Sequence, residues 1–148
     1  MQLTRFTDLG MRALMLLAAS EPGEHRVTTR QIAMHVGASE NHIAKAVSRL
    51  AELGLVHARR GRVGGLTLTD AGRDVSIGWL IRELEGDRDV VDCDGAVVCP
   101  LISGCRLRRA LADAKNAFYA ELDRYTVTDL VRTPALQLMS LTPMERNP

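Results

Sequence analysis

All three cysteines of this 148-residue chain fall in one stretch, Cys93-Asp-Gly-Ala-Val-Val-Cys99-Pro-Leu-Ile-Ser-Gly-Cys105, with five residues between successive cysteines. A thiolate can ligate a metal, attack an electrophile or exchange with another thiol. In a reducing compartment, clustered cysteines point to metal or redox chemistry before disulfides. Zinc is one candidate, but its structural sites use four tetrahedral ligands and usually a Cys-x-x-Cys pair. That pair is absent, and His25, His35, His42 and His57 all precede the stretch. Iron–sulfur clusters are held by thiolates, and Cys99-Pro100 is like the Cys-Pro that closes a bacterial ferredoxin run. The spacing favours a cluster, with zinc and redox-active thiols as alternatives. An odd count also leaves at least one cysteine outside any internal pairing.

Such a stretch needs elements to hold it. Residues 85–104 have little helical or strand periodicity, and a structureless loop of this length needs a reason such as a bound cluster. From Cys105 to about Tyr125 the sequence reads as a long helix. Leu107, Leu111, Ala114, Phe118 and Leu122 form an apolar stripe, and Ala110, Ala117 and Ala120 leave a low surface for a second helix. That pattern predicts dimerisation. A short helical turn follows over 126–131, and residues 132–148, with Pro134, Pro143 and Pro148, form a tail with no readable pattern.

The first 84 residues read as a separate DNA-binding unit. A helix over 3–20 is apolar on most faces, which implies burial on most faces. Thr28 and Gln31 form a capping box before a second helix over 29–36. Gly37 ends it, and Ser39 caps a third helix that runs to Leu53. On that helix Ile43, Ala46, Val47, Leu50 and Leu53 share one face; Asn41, His42, Lys45, Ser48, Arg49 and Glu52 share the other. Two short helices about a glycine, one with a polar face, make a helix-turn-helix. Two strands then flank Gly61-Arg62-Val63-Gly64-Gly65, a wing carrying Arg59, Arg60 and Arg62. A single fourth helix is expected over 71–84. The fold class is therefore mainly α: a winged helix-turn-helix with a β-hairpin wing and a long C-terminal dimerisation helix. Asn41, His42 and Lys45 are placed for base edges, as recognition helices require. Arg49, Arg59, Arg60 and Arg62 suit phosphates or a narrow minor groove. Thr28, Thr29 and Ser39 stand at helix N-termini that can bind a phosphate.

Charge divides the same way. Residues 39–65 hold five basic residues against two acids, and 83–94 hold six acids against one Arg. A basic half with an acidic insert implies two tasks in one chain. No apolar run approaches the roughly 20 residues that span a bilayer, and the first residues lack a signal-peptide pattern, so a cytoplasmic protein is expected. The wing glycines have no Lys-Ser/Thr ending and open no helix, which argues against a nucleotide site. No residue set reads as catalytic, so the chain is not expected to be an enzyme.

Residues 3–131 together resemble the iron–sulfur winged-helix transcriptional repressors. The resemblance is carried by Leu3-Thr-Arg-Phe-Thr-Asp8, Asn41-His-Ile-Ala-Lys-Ala-Val-Ser-Arg-Leu50, Arg60-Gly-Arg-Val-Gly-Gly-Leu66 and the three cysteines. Within that family the spacing is similar to that of the nitric-oxide sensors. The cluster-biogenesis regulators have a tighter run, a smaller cluster and a histidine ligand, and no histidine follows Cys105 here. The resemblance implies a 4Fe–4S cluster on Cys93, Cys99 and Cys105, completed by Asp8 of the partner subunit; 2Fe–2S and zinc are the alternatives. The residues alone leave Asp8 open between two roles. An unpaired carboxylate on an apolar helix is costly, yet Arg12 at i+4 or Arg5 at i−3 could pair with it. Arg12 and Glu85 are expected to pair and steady the site. The implied function is a nitric-oxide-sensing repressor that binds a double-stranded DNA operator as a homodimer and releases it when its cluster is nitrosylated. The alternatives are a regulator answering to redox or metal status through the same cysteines, and a redox enzyme on a winged fold, which the basic wing argues against.

Overall fold

Every helix among the described residues starts at a side chain that accepts a backbone N–H, and the starts dictate the chain's layout. The computed structural model of the protein describes residues 2–20, 27–59, 61, 64–86 and 88–132. The elements are α1 (Arg5–Ala19), α2 (Thr29–Val36), α3 (Glu40–Glu52), β1 (Val56–Arg59), β2 (Gly65–Leu68), α4 (Asp70–Asp74), α5 (Ile77–Glu85), α6 (Arg106–Leu122) and α7 (Val127–Val131). Thr4, Thr28, Ser39, Thr69, Ser76, Cys105 and Thr126 are their caps. Each satisfies one of the N–H groups that a helix start leaves without a partner. The capping box of Thr28 and Gln31 forms as the sequence predicts, and Thr126 with Asp129 forms another.

The helix-turn-helix is α2, a turn through Gly37, and α3. Gly37 adopts φ 64°, left-handed backbone that favours glycine. Ile43, Ala46, Val47 and Leu50 are buried, and Leu53 is half-buried, so the predicted core face of α3 is the observed one. β1 and β2 pair antiparallel with Val56 opposite Leu68 and Arg59 opposite Gly65. Leu66 N–H also donates to Val27 C=O at 2.8 Å, which ties the entry to α2 onto the hairpin. Arg60 and Arg62 lie outside the described residues, as does the tail from residue 133.

α1 runs through the middle and packs against α3, α5, α7 and β2. Leu14, Ile32, Ile43, Leu50, Leu80, Ile81 and Val127 have almost no solvent contact and form the centre of the core. Val127 comes from α7, so the chain beyond α6 returns to the core built by the first helices. No described helix is long and apolar enough to cross a membrane.

The single helix expected over 71–84 is instead two, α4 and α5, broken by an extended Val75. The physical cause is distant in sequence. Ile77 N–H donates to Tyr125 C=O at 2.9 Å, and Val127 N–H donates to Val75 C=O at 3.3 Å, so the α6–α7 connection occupies the joint. Ser76 then caps α5. Its hydroxyl donates to Asp123 Oδ1 at 2.7 Å, and Arg82 Nη2 donates to Asp123 Oδ2 at 2.8 Å. The Arg82 guanidinium also stacks over the Tyr119 ring, 4.7 Å from its centroid. At Gly78 the helices come so close that a Cβ would collide with the Tyr119 carbonyl oxygen and the Asp123 carboxylate.

The hydrogen bond from Arg82, then that from Ser76, hold the Asp123 carboxyl below its ordinary range. Its contribution to stability is therefore present at neutral pH and lost as pH falls through the lowered native value. Asp123→Asn is expected to cost about 1 kcal/mol at pH 7. In urea titrations of both proteins, that difference should shrink towards zero as pH falls below about 3.9, the ordinary carboxylate value.

Candidate metal centre and nucleic-acid interface

The three thiols sit in a loop that turns back on itself at the start of α6. Cys99 N–H donates to Cys93 C=O at 2.9 Å, which brings the first two cysteines together. Ile102 N–H to Cys99 C=O (3.1 Å) and Gly104 N–H to Leu101 C=O (3.2 Å) then turn the chain to Cys105. Cys105 is the cap of α6, and its Sγ accepts the Arg108 N–H at 3.4 Å. Cys93 is buried; Cys99 and Cys105 are half-buried; none forms a disulfide. Burial pushes the Cys93 thiol up, and the neighbouring Cys99 and Cys105 add to that, while Arg108 opposes it.

The loop is fastened to α6 by side chains. Arg108 Nη2 donates to Asp89 Oδ2 at 3.2 Å, and Lys115 Nζ donates to Arg88 C=O at 3.1 Å. Among the described residues no three His, Cys, Asp or Glu side chains are gathered tightly enough to hold one metal ion. A zinc site draws four donors to about 2.0–2.3 Å from a single centre, whereas a polynuclear cluster spreads its thiolates over several irons. The donor set is all thiol, has one member, Cys105, at a helix N-terminus, and has no histidine in its stretch. In kind, it fits an iron–sulfur cluster.

Asp8 lies in the first turn of α1, where its Oδ1 accepts Arg12 Nε at 2.7 Å. The expected pairing of Arg12 with Glu85 does not form in this chain. Glu85 Oε1 instead accepts Thr4 N–H at 2.7 Å and the Thr4 hydroxyl at 3.0 Å. The cause is local: Thr4 N–H has no helical partner and takes the strongest acceptor in reach, while Arg12 lies one turn from Asp8. A carboxylate of α5 thus holds the start of the helix that carries Asp8. Nothing in sequence spacing signals a contact across 81 positions.

On the nucleic-acid side, Asn41, His42 and Lys45 are exposed along α3, and Arg59 is exposed at the end of β1. Thr28 and Ser39 are exposed caps of α2 and α3, with Thr29 half-buried beside the first. Arg49 is different. Its guanidinium meets Glu83 of α5 at 3.3 Å and Glu52 at 3.4 Å. Sequence reading places Arg49 on the polar face but gives no sign of Glu83.

Residues 3–133 match the Rrf2 family, described as iron-dependent transcriptional regulators. The chain belongs to the Rrf2 family. It is 60% identical over 134 residues to the HTH-type transcriptional repressor NsrR of Streptomyces coelicolor, covering 90% of each chain. It is 40% identical over 134 residues to the HTH-type transcriptional regulator NsrR of Bacillus subtilis, covering 89% of this chain and 91% of that one. Among solved structures it is similar to CymR, the global cysteine regulator of B. subtilis, with a TM-score of 0.67 and 26% identity over 88% of this chain and 95% of that one.

The thiol environments predict an order of reactivity. In reduced, metal-free protein near neutral pH, Cys93 should alkylate more slowly than Cys99 and Cys105, because it is buried and its thiolate is disfavoured. Iodoacetamide labelling followed by peptide mass mapping reads this directly, and equal rates would contradict it.

Proposed function

We propose that this protein is a nitric-oxide-sensing transcriptional repressor that holds a 4Fe–4S cluster and binds operator DNA as a homodimer. The observation that carries this is the backbone turning of residues 93–104, which leads from Cys93 and Cys99 to Cys105 at the cap of α6, in a chain that also carries a helix-turn-helix and a β-hairpin. The repressor name of the 60% identical relative supports the same reading. So does the resemblance to nitric-oxide sensors in the cysteine spacing. On this reading residues 1–84 form the DNA-binding unit, 85–104 the cluster loop and 105–131 the dimerising part.

Cys93, Cys99 and Cys105 supply three ligands, and Asp8 of the partner subunit supplies the fourth. Dimerisation is favoured by α6 itself: only Tyr119 of its residues is buried, and Leu107 is 63% exposed. A helix whose apolar stripe is uncovered at Leu107 and Ala114 calls for a second one there. Asn41, His42 and Lys45 would enter the major groove. Arg59, Arg60 and Arg62 would meet phosphates, as would the helix N-termini at Thr28, Thr29 and Ser39. Such a regulator works in the cytoplasm and catalyses nothing.

A bound cluster would supply iron able to react with nitric oxide. The oxygen of Asp8 would be the one hard ligand beside three soft thiolates. In this chain Asp8 pairs with Arg12, the partner open to it when it is not a ligand. The rest of the response lies in α5, which leads directly into the loop. Its Glu85 holds the cap of α1, and its Glu83 holds Arg49 of α3. A shift of the loop therefore moves carboxylates that grip the DNA-binding helices.

Anaerobically purified protein should contain iron and sulfide and lose operator binding on treatment with nitric oxide. Absence of iron, or binding indifferent to nitric oxide, refutes the reading; zinc in its place would favour a metal-status regulator. Asp8→Ala should alter the visible spectrum and speed cluster loss, and an unaltered spectrum removes Asp8 as ligand.

Glu83→Gln should free Arg49 for a phosphate. Operator affinity then rises, and the slope of log K against log salt steepens by about 0.9. Fluorescence anisotropy across a salt series measures both, and a slope equal to wild type would show that Arg49 stays off the DNA.

A further inference from the structure

Arg108 touches the cysteine loop through both its backbone and its side chain. Its N–H donates to Cys105 Sγ at 3.4 Å, and its guanidinium donates to Asp89 at 3.2 Å. Asp89 stands four positions before Cys93, so one residue joins the segment leading to the first thiol and the helix turn carrying the third. Arg108 and Asp89 side chains are 38% and 47% exposed. An ion pair so exposed adds little to folding stability, so its placement calls for another use. Asp89, Asp92 and Asp94 already crowd negative charge into this segment, and three thiolates would add more. Asp89, Gly104, Cys105, Arg108 and Arg109 line one open recess of about 610 Å³. The guanidinium and the third thiol therefore face a common space.

We propose that Arg108 is a positioning residue of the cluster site. Held by Asp89, it clamps the entry of the loop to the first turn of α6, so that Cys93 and Cys105 are presented together. Its fixed positive charge offsets that of the thiolates. The guanidinium suits both tasks, because its planar fork grips a carboxylate and it stays charged at any accessible pH. This rests on the cluster reading above and adds a residue to it that ligates nothing.

The test uses full-length protein purified without oxygen, as wild type, Arg108→Gln, Arg108→Lys and Asp89→Asn. Three quantities are read: iron and sulfide per chain, the rate of iron loss to excess chelator, and the reduction midpoint. Arg108→Gln should lose iron about tenfold faster or more, as when partners that orient ligands are removed. Its midpoint should move negative, since a lost positive charge disfavours an added electron. Arg108→Lys should return the midpoint towards wild type while iron loss stays fast. Asp89→Asn should speed iron loss without a negative shift. Wild-type loss and midpoint in Arg108→Gln overturn the proposal while the cluster reading stands. Faster loss with an unmoved midpoint overturns it too, by reducing Arg108 to a structural contact. Should Arg108→Gln not fold, wild-type behaviour of both other variants is the overturning result. Wild-type protein devoid of iron and sulfide overturns the cluster reading, and this proposal with it.

Discussion

The Asp123 carboxylate receives the Ser76 hydroxyl and the Arg82 guanidinium, and so fixes the far end of α6 to the first turn of α5. Much of the molecule depends on that junction. It breaks the chain between α4 and α5, brings the 125–127 segment against Val75 and Ile77, and lets α7 deliver Val127 to the core. Because Gly78 admits no side chain there, α5 and α6 meet at backbone distance. The other end of α6 is Cys105. One helix thus runs from the thiols to the core, and its course is set by a close-packed contact rather than by a flexible linker.

α5 is the complementary piece. Its start is clamped to α6, its last turn reaches α3 through Glu83 and Arg49, and its last residue holds Thr4 at the cap of α1. These are not equal in strength. The junction with α6 combines buried packing, a close glycine contact and a charge-assisted pair. The Arg82–Asp123, Arg49–Glu83 and Arg12–Asp8 pairs are all exposed by a third or more, and pairs of that kind contribute about 0–1 kcal/mol, so the junction is set apart by its packing and its glycine contact. The firm contacts keep the shape, and the weak ones sit where the DNA-binding helices are gripped. Contacts of low strength are the ones a modest displacement can exchange.

What the sequence revealed follows the same division. The capping box of Thr28 and Gln31, the two faces of α3 and the hairpin all depend on neighbours within a few positions, and all are legible in the residues. The stripe of α6 is also legible: Phe118 and Leu122 pack on the core, while Leu107 and Ala114 stay exposed. The break at Val75 is not legible, because residues 71–84 read as helix and the competing hydrogen bonds come from residues 125 and 127. The same holds for Glu85 on Thr4 and Glu83 on Arg49. Arg49 shares a face with Lys45 and looks equally ready for phosphate until a helix 34 positions away supplies the carboxylate. Around the thiols, spacing gave the donors, but the capping role of Cys105 and the reach of Arg108 needed the fold.

That last point bears on how the site can be both built and labile. At the cap of α6 the Cys105 sulfur accepts one backbone N–H. The protein therefore supplies one thiol on a rigid element and two on a loop that backbone turns fold toward it. Loop residues Val97, Val98 and Leu101 are exposed, by 87%, 60% and 67%, so little packing holds that side in place. The loop begins where α5 ends, and α5 carries Glu83 and Glu85 on its final turn.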